Sequence, residues 1–355
     1  MKRVLTACAW LALVSVCTAE NEVTSEPSAT YASAAELGSF CERLPRAAYA
    51  QFEKHATSND WFEVYEVETG IFAIYEPFQW QEVISYLIVG TESAILFDTG
   101  NGIGDIKAVV DQLTDKVVRV INSHSHFDHI GGNHQFDDIL SISTPFTLAR
   151  TGGIQSDELS MEVSAEALCK APPEGVTEQN HQIRPFSITR KIVDGEVIDI
   201  GGRQLEVLRI PGHTDDSIAL LDRRAGFLWS GDNFYEGPIW LFFPETDLPA
   251  YKRSVEKMAS LVPDLKAVFP AHNAPLADPV LLTRLREGLG RVLAGEVDPV
   301  PVPDGNVEFG FDGFGLLMRE DYHSIPADQG HTRLTKNRDL PGLRRPSCTL
   351  IYENP

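Results

Sequence analysis

Three histidines and an aspartate fall within six positions of one another in Asn122-Ser123-His124-Ser125-His126-Phe127-Asp128-His129-Ile130-Gly131-Gly132-Asn133. The apolar run Val117 to Ile121 precedes them and reads as a strand. On an extended segment residues two apart point the same way, so His124 and His126 can reach one ion. The chain then turns, and Asp128 and His129 open a helix that can face a second ion. Burying four such groups without a cation is costly. His213 in Pro211-Gly212-His213, Asp232 in Ser230-Gly231-Asp232 and His272 in Pro270-Ala271-His272 follow in order. Each stands in the loop after an apolar strand pattern, where rigid elements present active-site residues. Five of the ten histidines belong to this set, an order that scattered surface histidines would not give. Mixed imidazole and carboxylate ligands suit zinc, with iron or manganese compatible.

The elements that must position these residues are legible from Trp61 onward. Phe62 to Val67, Ile71 to Tyr75, Val83 to Val89 and Ala94 to Phe97 read as strands, with Gly70, Gly90 and Gly100 between or after them. Ile106 to Leu113 is an amphipathic helix. Gly132 to Arg150 fits a helix and strand pair. Thr151 to Arg190 is less regular, with a helix suggested over Met161 to Lys170. Ile192 to Ile200, Leu205 to Ile210, Ser217 to Asp222, Phe227 to Ser230 and Ala267 to Phe269 are strands. Leu248 to Leu261 and Pro279 to Ala294 are helices, and Val307 to Leu317 is a strand or hairpin. A run of strands followed by alternating strands and helices implies an α/β protein with mixed sheets flanked by helices. The Gly100 to Gly104 stretch lacks a full nucleotide-loop pattern and reads as a flexible turn. One further helix is expected in Ala35 to His55.

The ordered set resembles the metallo-β-lactamase superfamily, with HxHxDH followed by PGH, GD and a final AH. The resemblance covers roughly Trp61 to Ala294. It implies a four-layer αββα sandwich with two mixed β-sheets and the metals at one edge. It also implies that His124, His126 and His213 hold one metal, that Asp128, His129 and His272 hold another, and that Asp232 bridges them. Two Zn2+ per chain are the expected cofactors. A hydroxide shared by the two ions would attack a carbonyl or phosphorus centre, with Asp128 as its catalytic hydrogen-bond acceptor. Asp98, in Phe97-Asp98-Thr99-Gly100, matches the family's early Asp and should orient the loop or a ligand.

Asp232 stands where zinc β-lactamases usually carry Cys or Ser, so the chain looks more like the glyoxalase II, lactonase and phosphodiesterase branches. The basic motif of the glyoxalase II C-terminal domain has no counterpart in Val297 to Pro355, which argues against a glutathione thioester. The expected activity is hydrolysis of a small ester, lactone, thioester or lactam. The alternatives are a β-lactamase proper and a mononuclear iron dioxygenase of the persulfide type, which would use only His124, His213 and Asp232. Specificity should come from loops over the metals. Phe78-Gln79-Trp80 occupies the place of a substrate flap, and Tyr235 is a candidate oxyanion donor, with Phe234 and Trp240 nearby. His134 reads as a solvated helix residue, and His55, His181, His323 and His331 have no ligand context.

The chain has 355 residues, of which 43% are hydrophobic, enough for a substantial core. Its net charge of −21 argues against nucleic acid as a partner, because phosphate contacts need clustered Lys and Arg. A small molecule is the expected partner. Met1 to Ala19 has a basic start, a short apolar run and small residues before Glu20, which predicts a signal peptide and a periplasmic or secreted protein without a membrane anchor once it is cleaved. The chain then divides into 1–19 signal, 20–60 linker and short helix, 61–296 catalytic domain and 297–355 C-terminal extension. Cys41, Cys169 and Cys348 lie beyond the signal and allow one bridge and one free thiol, without fixing which.

Overall fold

The computed structural model describes residues 40–321. The signal segment, His323, His331, Cys348 and the basic tail lie outside them. The first eight strands are β1 (Lys54–His55), β2 (Glu63–Glu68), β3 (Ile71–Tyr75), β4 (Ile84–Val89), β5 (Ser93–Phe97), β6 (Val117–Ile121), β7 (Ile139–Ser141) and β8 (Arg190–Lys191). They form one sheet in chain order, antiparallel from β1 to β5 and parallel from β5 to β8. Next come β9 (Val197–Asp199), β10 (Gln204–Arg209), β11 (Ile218–Asp222), β12 (Phe227–Gly231), β13 (Pro238–Leu241) and β14 (Ala267–Pro270). All but β13 build a second mixed sheet, ordered β14-β12-β11-β10-β9. The last strands are β15 (Val300–Val302), β16 (Asn306–Phe311) and β17 (Phe314–Arg319). They join β13 in a small third sheet.

The helices are α1 (Ile106–Leu113), α2 (Phe127–Ile130), α3 (Pro145–Arg150), α4 (Ser156–Leu159), α5 (Leu248–Leu261) and α6 (Val280–Leu293). Strand alternation sorts the apolar residues into layers. Tyr86, Ile88, Ile95 and Phe97 face inward and meet Val207, Ile218, Leu220 and Trp229 of the second sheet. The opposite face of the first sheet, with Val64, Leu87 and Leu96, packs on Ile106, Val109 and Val110 of α1. The outer face of the second sheet, with Leu221, Leu228 and Val268, packs on Tyr251 and Val255 of α5 and on Leu282 and Leu285 of α6. The result is the expected αββα sandwich. No described helix is long and apolar enough to cross a membrane.

Three expectations need correction. Ala47–Tyr49 is a short 3-10 turn and Lys54–His55 a strand, so no single helix runs through to His55. Pro45 interrupts it, and Tyr49 is drawn under the sheet, where it stacks on Tyr75 at 4.3 Å. Of the helix expected over Met161 to Lys170, only the end of the 3-10 turn Ser160–Val163, which follows α4, is helical. The following residues are tied instead to the β3–β4 loop, by Trp80 N–H donating to the Ala167 carbonyl and Cys169 N–H to that of Phe78. The strand expected over Ile192 to Ile200 splits at Gly195, whose φ of +79° turns the chain between β8 and β9.

Cys41 and Cys169 form a disulfide across 128 residues of sequence. Closing so long a loop strips entropy from the unfolded chain. Replacing both cysteines with serine should destabilise the protein by about 2–5 kcal/mol, read as a lower denaturation midpoint. An unchanged midpoint would mean that the bridge does not constrain the unfolded chain.

Candidate metal centre and active site

The chain leaving β6 carries His124 and then His126, whose backbone is extended. His126 stands at the N-cap position of α2, and Asp128 and His129 lie on its single turn. His213 follows β10, Asp232 follows β12 and His272 follows β14. All seven predicted residues are buried, and the fold brings them to one edge of the two sheets.

They form two sets that share Asp232. In each set one ligand-type atom per residue lies within 4.8 Å of the others. In the first, His126 Nδ1 lies 3.0 Å from both His124 Nε2 and His213 Nε2. Asp232 Oδ2 approaches His213 Nε2 at 3.5 Å and His124 Nε2 at 3.8 Å. In the second, Asp128 Oδ2 lies 3.3 Å from His129 Nε2 and 3.6 Å from His272 Nε2. Asp232 Oδ1 lies 3.0 Å from His272 Nε2 and 3.3 Å from His129 Nε2. One carboxylate thus turns a different oxygen to each set.

The outer nitrogens explain why the inner ones are bare. His213 Nδ1–H donates to the Trp240 carbonyl at 2.8 Å and His272 Nδ1–H to that of Gln81 at 2.7 Å. His126 Nε2–H donates to Glu245 at 2.9 Å and His129 Nδ1–H to Asp98 at 3.0 Å. His124 Nδ1 lies 3.0 Å from the Ser123 hydroxyl. A neutral imidazole that donates from one nitrogen offers a lone pair from the other. The inner nitrogens of the first set therefore face one another as lone pairs. Such an arrangement is repulsive unless a cation sits among them. His129 Nε2 and Asp232 Oδ1 are buried without a hydrogen bond, as ligand atoms would be. The residues present fit a metal pair.

The electrostatics agree. Burial pushes His213 down to about 4 and His124 well below its ordinary value, so both are neutral donors. Burial works against ionisation of Asp232, but His272, His129 and His124 outweigh it and hold the carboxyl well below the usual range. Around His129, burial is likewise outweighed by Asp128, Asp232 and Asp98, which favour a positive charge there. Either a proton or a metal ion can supply that charge.

Asp98 does what the sequence implied. Its φ of +70° turns the carboxylate back, where it accepts from Ser123 N–H at 2.6 Å and from His129. Glu245 was not foreseen, since a lone Glu in a loop carries no local pattern. Glu245→Ala should weaken zinc binding at the first set by about 10–100-fold, because the His126 ring loses its anchor. Zinc competition with a chromophoric chelator measures this, and wild-type affinity would show that Glu245 plays no such part.

A cavity of about 220 Å³ opens on the two sets. Phe127, Ile154, Leu159, Trp240 and Phe243 give it an apolar wall, and Arg150 and Glu158 lie on its lining. Phe78-Gln79-Trp80 is not an open flap: Gln79 is buried, and Gln79 and Trp80 both donate to Glu162. Trp80 leans on Trp240 with ring centroids 5.2 Å apart. Tyr235 lines the cavity, but its hydroxyl proton is taken by the Pro238 carbonyl at 2.7 Å, so it does not serve as the expected oxyanion donor. Phe234 is core. His134 is half-buried and donates to the Gly131 carbonyl. His55 pairs with Glu66, and His181 is buried away from both sets.

The metallo-beta-lactamase superfamily profile matches residues 80–272. The acyl-coenzyme A thioesterase MBLAC2 of Bos taurus is 28% identical over 230 residues, covering 60% of this chain and 81% of that protein. A hydroxyacylglutathione hydrolase of Idiomarina loihiensis is 25% identical over 182 residues, 51% of this chain and 57% of the relative. Among solved structures, a double mutant of the sec-alkyl sulfatase PisA1 superposes with a TM-score of 0.51 at 15% identity, over 67% of this chain and 46% of that one. That likeness speaks to the fold alone. The profile match spans more than half of the chain and contains every residue of both ligand sets. The chain belongs to the metallo-beta-lactamase superfamily and is a hydrolase of that family.

Proposed function

We propose that the protein is an exported binuclear hydrolase of a small thioester or ester, with lactones and lactams as the neighbouring substrate classes. The observation that carries this reading is Asp232, one oxygen of which faces each ligand set. His124, His126 and His213 would hold one ion and Asp128, His129 and His272 the other, most naturally as Zn2+. Bound there, such a pair would supply a nucleophile at neutral pH and polarise a substrate carbonyl. Asp128, lining the cavity, would accept a hydrogen bond from that nucleophile. Phe127, Trp240 and Phe243 orient an apolar acyl group and exclude bulk water. The acyl-coenzyme A thioesterase relative supports a thioester.

A single-iron oxygenase would need only His124, His213 and Asp232. The close convergence of Asp128, His129 and His272 therefore favours two metals. Export is supported by the pattern of Met1 to Ala19 and by the Cys41–Cys169 bridge, since disulfides persist in oxidising compartments.

The test is turnover of acyl-thioester, ester, lactone, β-lactam and phosphodiester substrates by the protein lacking residues 1–19, with and without a chelator. Chelator-sensitive hydrolysis of a thioester or ester is expected. Silence across the panel in a metal-loaded protein, together with oxygen uptake by an iron-loaded one, would contradict it.

A further inference from the structure

His272 stands on a loop that is stitched to Gln81–Ile84. The Gln81 carbonyl accepts from His272 Nδ1–H. Asn273 N–H donates to the Glu82 carbonyl at 3.2 Å, and Ile84 N–H donates to that of Ala271 at 2.7 Å. Two residues of this stitch, Glu82 and Asn273, adopt left-handed backbone with φ of 47° and 66°. Non-glycine residues there need support from their surroundings. Arg46 supplies it. Its Nε donates to Glu82 Oε1 at 2.7 Å and its Nη2 to Glu82 Oε2, and the same Nη2 donates to Asn273 Oδ1 at 2.8 Å. The Tyr75 hydroxyl donates to the same carboxylate, which is almost fully buried. Arg46 lies before the residues matched by the family profile. Its segment is tied down by the Cys41–Cys169 bridge, and Cys169 N–H donates to the carbonyl of Phe78, three residues before Gln81.

We infer that Arg46 is a positioning residue for the second metal site, clamping Glu82 and Asn273 so that His272 Nε2 is aimed at its ion. The inference rests on the two-metal reading above. Without Arg46, the buried Glu82 carboxylate loses its ion-pair partner, which is strongly unfavourable. Glu82 must then swing out toward water. That movement loosens the backbone that holds His272 and Asn273. The first ligand set takes its outer hydrogen bonds elsewhere, from Ser123, Glu245 and Trp240. The effect of losing Arg46 is therefore selective.

The experiment is a Zn2+ titration of the metal-free protein, followed by calorimetry, with circular dichroism as the check on folding. The wild type takes up two equivalents. Arg46→Ala keeps the first and binds the second about 10–100-fold more weakly. Arg46→Lys falls between them, because an ammonium lacks the planar fork. If Arg46→Ala does not fold, Asn273→Gly keeps the left-handed backbone while removing the side chain that Arg46 grips, and it gives the same selective weakening. A merely structural role would lower the melting temperature and leave the two affinities unchanged. Two equivalents bound at wild-type affinity in a folded variant, or equal weakening of both, would overturn the clamp. A wild type that binds a single equivalent would instead remove the two-metal reading and the clamp with it.

Discussion

Asp232→Ala should reduce turnover on the order of 10³-fold or more, with no change of fold. No other side chain contributes to both ligand sets, so its loss weakens both sites together. A pair of cations held together by one carboxylate would make a strong nucleophile available at neutral pH, and that advantage disappears with the bridge. Asp232→Asn separates charge from shape. The amide keeps the volume but offers only one oxygen, so its metal affinity should fall nearly as far. His126→Ala opens the first set alone and should also abolish hydrolysis. Kinetics on the preferred substrate with measured metal content decide the matter. Near-normal turnover in Asp232→Ala would mean that the two sets do not act as a pair.

Gly131→Ala should be destabilising by about 2–4 kcal/mol and should also weaken zinc binding. A Cβ at Gly131 would sit 2.2 Å from the backbone of Asn101 and Gly102. Backbone atoms cannot step aside as a flexible side-chain tip can. A Cβ at Gly102, whose φ is +74°, would likewise meet the Gly131 carbonyl. Gly131 N–H donates to the Gly100 carbonyl at 2.9 Å, and Asn101 N–H donates to the buried Glu76 carboxylate at 2.8 Å. The turn after Asp98 is thus packed directly against the turn carrying Asp128 and His129, and pushing one displaces the other. Chemical denaturation and zinc competition read the two effects. Wild-type stability would show that the close approach relaxes without penalty. The Gly100 to Gly104 stretch, expected as a flexible turn, is a turn but a tightly packed one.

Local patterns carried much of the fold. Ile106–Leu113 and Leu248–Leu261 were readable from their apolar stripes, and in the structure an aspartate caps each: Asp105 accepts from Ala108 N–H and Asp247 from Ala250 N–H. The metal ligands were readable because four fall within six positions and the other three each follow an apolar strand. β13 was not, because Gly237-Pro238 reads as a breaker. It forms only by pairing with β17, nearly eighty residues later in the chain. Glu245, Arg46 and Glu82 are single charged residues with no neighbouring pattern. Their meaning arises only where distant segments meet, at His126 for the first and at Asn273 for the other two. Tyr235 shows the converse. Its position suggested chemistry, and its hydroxyl proved committed to backbone.

The most direct test of the central claim is to add Zn2+ stepwise to the metal-free protein while following hydrolysis of an acyl thioester. Activity that rises to a plateau at two equivalents per chain is predicted. Full activity at one equivalent, or activity indifferent to metal, would contradict a binuclear centre built on Asp232.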